Sequence, residues 1–148
     1  MDKPLRQAGV IPYRIAAGGK LQVLLVTSRD TGRWVIPKGY IDDGMTAPQA
    51  AQQEAWEEAG ISGEIVPGDP LGFIPYLKTL NEGGARPATI EVYAMRVTRQ
   101  ASKWPEQKER RRKWFSPANA AGRVKEPDLA ALLLRMADLF PVGSGAPA

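Results

Sequence analysis

Apolar residues along the chain recur with two different periods, and the change of period separates predicted strands from predicted helices. Short apolar runs bounded by turn residues indicate strands. The turn at residues 16–19 joins the first two runs as a hairpin, and another turn at residues 81–84 separates two later runs. The predicted strands cover residues 7–15 with an interruption at Pro12, and residues 21–27, 33–37, 63–66, 71–80, 88–98 and 113–115.

The clearest helical period lies near the end of the chain, over residues 127–140. Its apolar positions repeat every three or four residues and form one stripe, which we expect to pack on the core. A brief helical turn starts at Ser116-Pro117, the polar stretch 100–112 is predicted to be a loop, and residues 141–148 a frayed tail. The stripe consists of Leu129, Leu132, Leu133, Met136, Leu139 and Phe140.

A second helix is predicted in mid-chain, from Thr46 to a stop at Gly60. Thr46 and Gln49 have the spacing of a capping box, and Pro48 falls in the first turn, where its missing N–H costs little. Strands with one helix in mid-chain and one at the end indicate an α+β class, an α/β/α sandwich. We expect one domain spanning residues 1–148.

Three glutamates share one face of this mid-chain helix. Glu54 and Glu58 stack one turn apart, and Glu57 lies beside them. Like charges at this spacing repel, and a hard cation such as Mg²⁺ or Mn²⁺ offsets the repulsion because it prefers carboxylate oxygens. The face therefore predicts a divalent metal site, with a solvated acidic surface as the alternative.

Composition narrows the possible chemistry. The 148 residues contain no cysteine and no histidine, which excludes thiolate nucleophiles, Ser-His-Asp catalysis and His-ligated zinc. A general base must then be a carboxylate, a perturbed lysine or metal-bound water. We expect no membrane segment, because no run of about 18 apolar residues occurs, and a cytoplasmic protein. The net charge of +4 suits an anionic ligand.

The stretch from Gly39 to Ile61 resembles the Nudix hydrolase family, whose pattern is G-x5-E-x7-R-E-U-x-E-E-x-G-U. Glu54, Glu57, Glu58 and Gly60 occupy matching positions. The resemblance implies a mixed β-sheet between helices, covering nearly the whole chain. Two positions depart from the pattern. Met45 stands where the family has its first glutamate and Gln53 where it has the arginine; Asp42 and Asp43 are candidates to substitute in part.

The family resemblance also implies a reaction, hydrolysis of a diphosphate linked to another group. Glu54 and Glu58 would be metal ligands and catalytic residues, and the backbone carbonyl of Lys38 would add a ligand. Glu57 would be a further ligand, an orienting group or the base. The position of the base differs within the family, so the resemblance does not assign it.

Residues 24–29, 33–39 and 109–117 resemble the diphosphoinositol polyphosphate phosphohydrolase branch more closely. This resemblance implies a polyphosphorylated small-molecule substrate, either an inositol pyrophosphate or a dinucleoside polyphosphate. Arginine suits such a ligand because it binds phosphate through two parallel hydrogen bonds. Ordinary polar turns and a solvated basic loop are the alternatives. The predicted substrate-binding residues are Ser28, Arg29, Lys38, Gly39, Arg110, Arg111 and Arg112.

Two other functions stay open. Met45 and Gln53 are compatible with a catalytically impaired Nudix-fold module that only binds its ligand. The basic run 110–112 near Trp104 and Trp114 is compatible with an RNA-end pyrophosphatase, although nothing else in the sequence indicates nucleic acid.

Overall fold

The computed structural model describes residues 3–140. These residues form eight strands and three helices, and none of the three helices has the length and apolar character that crossing a membrane would need. The predicted tail, residues 141–148, lies outside the described residues. In chain order the elements are β1 (Leu5–Ala16), β2 (Lys20–Thr27), β3 (Trp34–Val35), β4 (Lys38–Tyr40), α1 (Ala47–Ala59), β5 (Ile61–Ile65), β6 (Gly72–Thr79), β7 (Ala85–Gln100), β8 (Arg112–Phe115), α2 (Pro117–Ala121) and α3 (Pro127–Leu139).

The strands form one mixed sheet whose centre is the parallel pair β1 and β7. Their register runs from Leu5 opposite Ala88 to Tyr13 opposite Arg96. The main strand order is β3-β2-β1-β7-β5, and every other pairing in the sheet is antiparallel. β4 pairs with the first part of β1, β6 with β7 and β8 with β2.

Helices cover both faces of this sheet, which confirms the predicted α/β/α sandwich. On one face α3 buries Leu129, Leu133 and Met136 against the sheet, as the apolar stripe predicts. On the other face α1 presents only small side chains, so its backbone approaches the sheet closely. The buried alanines of α1 are Ala47, Ala50, Ala51, Ala55 and Ala59.

β1 is continuous through Pro12, in contrast to the interruption predicted there. Residues 7–9 of β1 pair with β4, residues 13–16 pair with β2, and Pro12 lies in the gap between the two partners. A proline is tolerated at a point where the ladder on one side of a strand is already broken. The change of partner also frees β4 to bring Lys38 and Gly39 beside α1, which the sequence does not predict.

Candidate active site

Helix α1 begins and ends with the signals seen in the sequence. Thr46 and Gln49 form the full capping box, each side chain bonded to the other residue's backbone N–H. Gly60 adopts a left-handed conformation with φ of 66° at the C-terminal end. A side chain there would be strained and would collide with Trp104, which lies 2.7 Å from the position of a Cβ.

The carboxylates of Glu54 and Glu58 face strand β4. The backbone of Gly39 touches the Glu54 carboxylate so closely that an added Cβ would lie 2.6 Å from both of its oxygens. A side chain at position 39 would therefore displace the Glu54 carboxylate from its present place. β4 and the acidic face of α1 both line one cleft.

Burial changes the proton affinity of both carboxyl groups. Glu58 is 6% exposed, and burial raises its pKa to about 8 against the lowering effect of Arg110. Burial likewise raises the pKa of Glu54, partly opposed by its interaction with the Glu58 side chain. Ionising both carboxyl groups at once is unfavourable, and a bound cation would compensate for their negative charges.

The cleft has a volume of about 360 Å³ and carries both signs of charge. The acidic lining residues include Glu54 and Glu58 of α1, and the basic ones include Lys38, Lys78 and Arg110. A lining with both charges suits a ligand of phosphate groups accompanied by a cation, because each partner then meets groups of opposite charge. The lining includes Gln7, Ser28, Arg29, Lys38, Gly39, Tyr40, Asp42, Glu54, Glu58, Lys78, Glu106 and Arg110.

Lys38 and Lys78 provide ammonium groups in this cleft. Neither has a carboxylate oxygen within 4.0 Å among residues 3–140. Burial lowers the pKa of Lys38, partly opposed by the nearby Glu58. The two lysines lie over tyrosine rings instead, Lys38 at 5.6 Å from Tyr76 and Lys78 at 5.5 Å from Tyr40. Their charges are thus available to a ligand.

Arg110 is held much more tightly than the lysines. Its Nε donates to Glu106 Oε1 at 2.7 Å, its Nη1 donates to the carbonyl of Thr27 at 3.0 Å, and its Nη2 lies 3.6 Å from Glu58 Oε2. The side chain is only 9% exposed. The alternative of a solvated loop is therefore wrong for this arginine.

The other predicted site residues do not all line the cleft. Ser28 and Arg29 line the cleft. The Arg29 side chain is 55% exposed and forms two long ion pairs, from Nε to Glu106 Oε1 at 4.0 Å and from Nη1 to Glu109 Oε1 at 3.8 Å. Arg111 lies outside the cleft in an adjoining groove that also contains Ser28 and Arg29. The structure brings Glu57 near Glu54 but not into the lining of the cleft.

The contacts of Arg112 show that the prediction of substrate binding by the whole basic run is wrong for this residue. Its guanidinium donates to the carbonyls of Ala59 at 2.7 Å and Ala101 at 2.6 Å, and it stacks 3.9 Å from the centre of the Trp104 ring. These contacts occupy it at the C-terminal end of α1, away from the cleft. The sequence could not show this, because the partners are carbonyls of distant segments.

Residues 101–111, which we call the capping loop, bind the C-terminal end of α1. A helix leaves its last carbonyls without internal partners, and here the loop and the first residue of β8 supply donors to four in succession. The carbonyls and donors are Glu57 with the Glu106 N–H, Glu58 with Trp104 Nε1, Ala59 with Arg112 Nη1 and Gly60 with the Ala101 N–H.

The two departures from the family pattern have different surroundings. Met45 is partly buried and packs against the alanine-rich core beneath α1, so a carboxylate there would face apolar groups. Gln53 is exposed and does not line the cleft. Of the two candidate substitutes, Asp42 lines the cleft and Asp43 does not.

Sequence reasoning missed several residues of the cleft, among them the charged residues Lys78 and Glu106. Lys78 lies in the phase of β6 that points inward at Ile74 and Tyr76, so a charged residue in the apolar phase of an alternating strand was the available signal. Glu106 lies in the capping loop, and only the folded chain brings it to the helix. Its charge helps to raise the pKa of Glu54.

The donor set fits Mg²⁺ or Mn²⁺. Within residues 3–140 no three acidic side chains form a ready-made metal cage. Mg²⁺ seldom uses such a cage, and it is usually held by one or two carboxylates together with substrate phosphates. Glu54 and Glu58 meet this requirement with oxygen atoms only.

Comparison with known proteins agrees with this site. A NUDIX domain family model matches residues 4–136. The chain is 33% identical over 132 residues to Nudix hydrolase 13, mitochondrial, of Arabidopsis thaliana, covering 76% of this chain and 63% of that protein. It is 40% identical over 60 residues to the asymmetrical bis(5'-nucleosyl)-tetraphosphatase of Caenorhabditis elegans, covering 40% of this chain and 44% of that protein.

The fold is also found among solved structures. A binary complex of C. elegans Ap4A hydrolase superposes with a TM-score of 0.69 at 23% identity, over 93% of this chain and 98% of that one. The chain spans about 63% of the length of the first two curated relatives that it matches. The family model nevertheless covers almost all of the described residues, and the chain belongs to the Nudix family.

Proposed function

We propose that this protein is a metal-dependent pyrophosphohydrolase that cleaves a phosphoanhydride bond in a polyphosphorylated small molecule. The observation that carries the proposal is the pair Glu54 and Glu58, with Glu58 buried, which lines one cleft together with Lys38 and Lys78. Phosphoryl transfer needs positive charge on the phosphate oxygens and a positioned water, and little covalent help from the protein. The cleft offers groups for both needs.

The acidic and the basic residues of the cleft would have different parts in this chemistry. Glu54 and Glu58 would hold Mg²⁺ or Mn²⁺ with the Lys38 carbonyl, and the bound cation supplies positive charge and makes a nearby water more acidic. Glu106 adds a further carboxylate to the lining of the cleft. Lys38, near Glu58, would bind phosphate oxygens at the scissile bond and neutralise the charge that develops on the leaving group, and Lys78 would bind a phosphate farther from that bond. Glu57 stays a candidate base beside the cleft.

The second part of the proposal concerns the class of substrate. The cleft meets an adjoining groove of about 280 Å³ through Ser28, Arg29 and Arg110, and that groove also contains Lys108 and Arg111. Phosphates beyond the scissile bond can reach Arg29, Lys108 and Arg111 along this groove. A dinucleoside polyphosphate or a diphosphoinositol polyphosphate has the required length and charge. Dinucleoside polyphosphates are also the class of substrate that appears in the name of the C. elegans relative, a bis(5'-nucleosyl)-tetraphosphatase.

The test is a hydrolysis screen with Mg²⁺ and Mn²⁺ across nucleotides, dinucleoside polyphosphates, inositol pyrophosphates and 5'-triphosphorylated RNA. We expect product release that requires the metal and is fastest for a small polyphosphorylated substrate. Glu58→Gln should abolish turnover. Asp43→Asn should retain it, because Asp43 is an exposed acid in the loop before α1 and does not line the cleft. Two further outcomes have a clear meaning. Tight binding without products favours the binding module, and preference for RNA favours the RNA-end enzyme. We propose a cytoplasmic location as well, which imaging of the full-length protein tests.

A further inference from the structure

Glu58, one of the proposed metal-binding glutamates, is contacted by a cation from a distant part of the chain. The family pattern has an arginine directly before its second glutamate, and here that position is Gln53. Gln53 is exposed and lies outside the cleft. The cation that approaches Glu58 is Arg110, from the end of the capping loop and far away in sequence. Both side chains are nearly inaccessible, 9% for Arg110 and 8% for Glu58, so the contact is shielded from solvent.

The guanidinium of Arg110 contacts protein groups through each of its three nitrogens. Nε and Nη1 donate hydrogen bonds to Glu106 in the capping loop and to the carbonyl of Thr27 at the end of β2, and Nη2 forms an ion pair with Glu58 of α1 at 3.6 Å, beyond hydrogen-bond distance. A planar guanidinium fixes three directions at once, which a lysine cannot do. Three protein partners leave Arg110 less free to bind substrate phosphates than Lys38 and Lys78, which have no carboxylate oxygen within 4.0 Å among residues 3–140.

We infer that Arg110 is a positioning residue, which orients the Glu58 carboxylate and fastens the capping loop to α1, and is not a phosphate ligand. The inference rests on the proposed function, since it gives Arg110 a part in that same site. The loop backbone already binds the carbonyls at the end of α1, and Arg110 adds the contact that extends this attachment to a functional side chain.

The experiment separates positioning from substrate binding with two measurements. The first is steady-state turnover of Arg110→Lys, which keeps the charge but loses the fixed geometry. We expect kcat to fall at least 10-fold on a simple nucleoside diphosphate derivative and on a polyphosphorylated substrate alike, with KM changed less than about 3-fold. Arg135→Gln is the matched control, since Arg135 also donates to a carbonyl but lies on α3 outside the cleft.

The second measurement is calorimetric binding of tripolyphosphate in EDTA, which needs neither metal nor turnover. Arg110→Gln should change the tripolyphosphate Kd less than about 3-fold, whereas Lys78→Gln should raise it about 10-fold. The inference is overturned if Arg110→Gln weakens binding as much as Lys78→Gln, if Arg110→Lys retains wild-type kcat, or if its loss is confined to the polyphosphorylated substrate. Thermal unfolding confirms that each variant is folded, and if Arg110→Gln is not, Arg110→Lys replaces it in the binding measurement under the same criteria.

The two measurements also distinguish this inference from the proposed function. If the wild-type protein hydrolyses none of the substrates, the proposed function fails. The tripolyphosphate titration still decides whether Arg110 is a phosphate ligand.

Discussion

Trp104 donates its indole Nε1–H to the main-chain carbonyl of Glu58 at a distance of 3.0 Å. The bond joins the capping loop to the residue whose side chain is central to the proposed metal site. It belongs to the set of donors that complete the C-terminal end of α1. Because the backbone and the side chain of Glu58 are both held from the loop, we expect the stability of the helix end and catalysis to depend on it together.

Trp104→Phe should therefore lower both stability and turnover. It removes one partly buried hydrogen bond, at a cost of about 1–2 kcal/mol in the free energy of unfolding. Trp114→Phe is the control, because Trp114 also donates through Nε1, but to the exposed Gln100 side chain on β7 and not to α1. Urea unfolding and kcat measure the two effects. Equal kcat values in the two variants would show that the loop attachment does not matter for the site.

The raised pKa of Glu58 predicts how stability changes with pH in the absence of metal. The folded protein holds the proton more tightly than the unfolded chain, whose value is near 4.5. The contribution of Glu58 is therefore present below about pH 4.5 and is lost as the pH rises towards 8. Each unit by which folding raises the pKa corresponds to about 1.4 kcal/mol in the free energy of unfolding.

Glu58→Gln removes this dependence. In EDTA, we expect the Tm of the variant minus that of the wild type to increase by at least ~4 °C between pH 5 and pH 8.5. Thermal unfolding across this range is the measurement, with Glu64→Gln as a control because Glu64 is exposed on β5. Added Mg²⁺ should stabilise the wild type and not the variant. A constant Tm difference would mean that Glu58 is already ionised at pH 5.

Lys78 should determine the preference for highly phosphorylated substrates. A lost charge-assisted contact costs about 1.5–3 kcal/mol when shielded from water and less at a wet rim. For Lys78→Gln we expect kcat/KM to fall about 10-fold on a polyphosphorylated substrate and less than about 3-fold on a simple nucleoside diphosphate derivative. Lys113→Gln is a suitable control, because Lys113 is exposed on β8. Equal losses on both substrates would mean that Lys78 contributes only to the general field.

Met45→Glu should reduce stability and should not improve the enzyme. Although the family pattern has a glutamate here, Met45 packs against the apolar core beneath α1. Placing a carboxylate in this partly buried position costs about 1–3 kcal/mol, whereas Met45→Leu should cost less than about 1.5 kcal/mol. Chemical denaturation and kcat of the folded fraction measure the result. A faster and equally stable Met45→Glu enzyme would show that the missing glutamate limits catalysis.

Local signals predicted the parts of the site that one segment supplies. The capping box, the C-terminal glycine and the spacing of Glu54 and Glu58 depend on neighbours in sequence, and the structure places these residues as expected. Strand β4, Lys78 and the true partners of Arg112 depend on contacts between distant segments. Neither a periodic pattern nor the chemistry of a residue type specifies such contacts, so they were missed.

The parallel pairing of β1 and β7 has a consequence for how the chain folds. Arg6 and Glu91, which form an ion pair across these strands, are 85 residues apart in sequence. Closing a loop of this length costs entropy before any contact offsets it. Folding rates fall as contacts become less local. During synthesis β1 therefore cannot pair with β7 until β7 has left the ribosome, and the side of β1 that β7 later covers has no partner until then. The early hairpin of β1 with β2 is the local structure available to this strand in that interval.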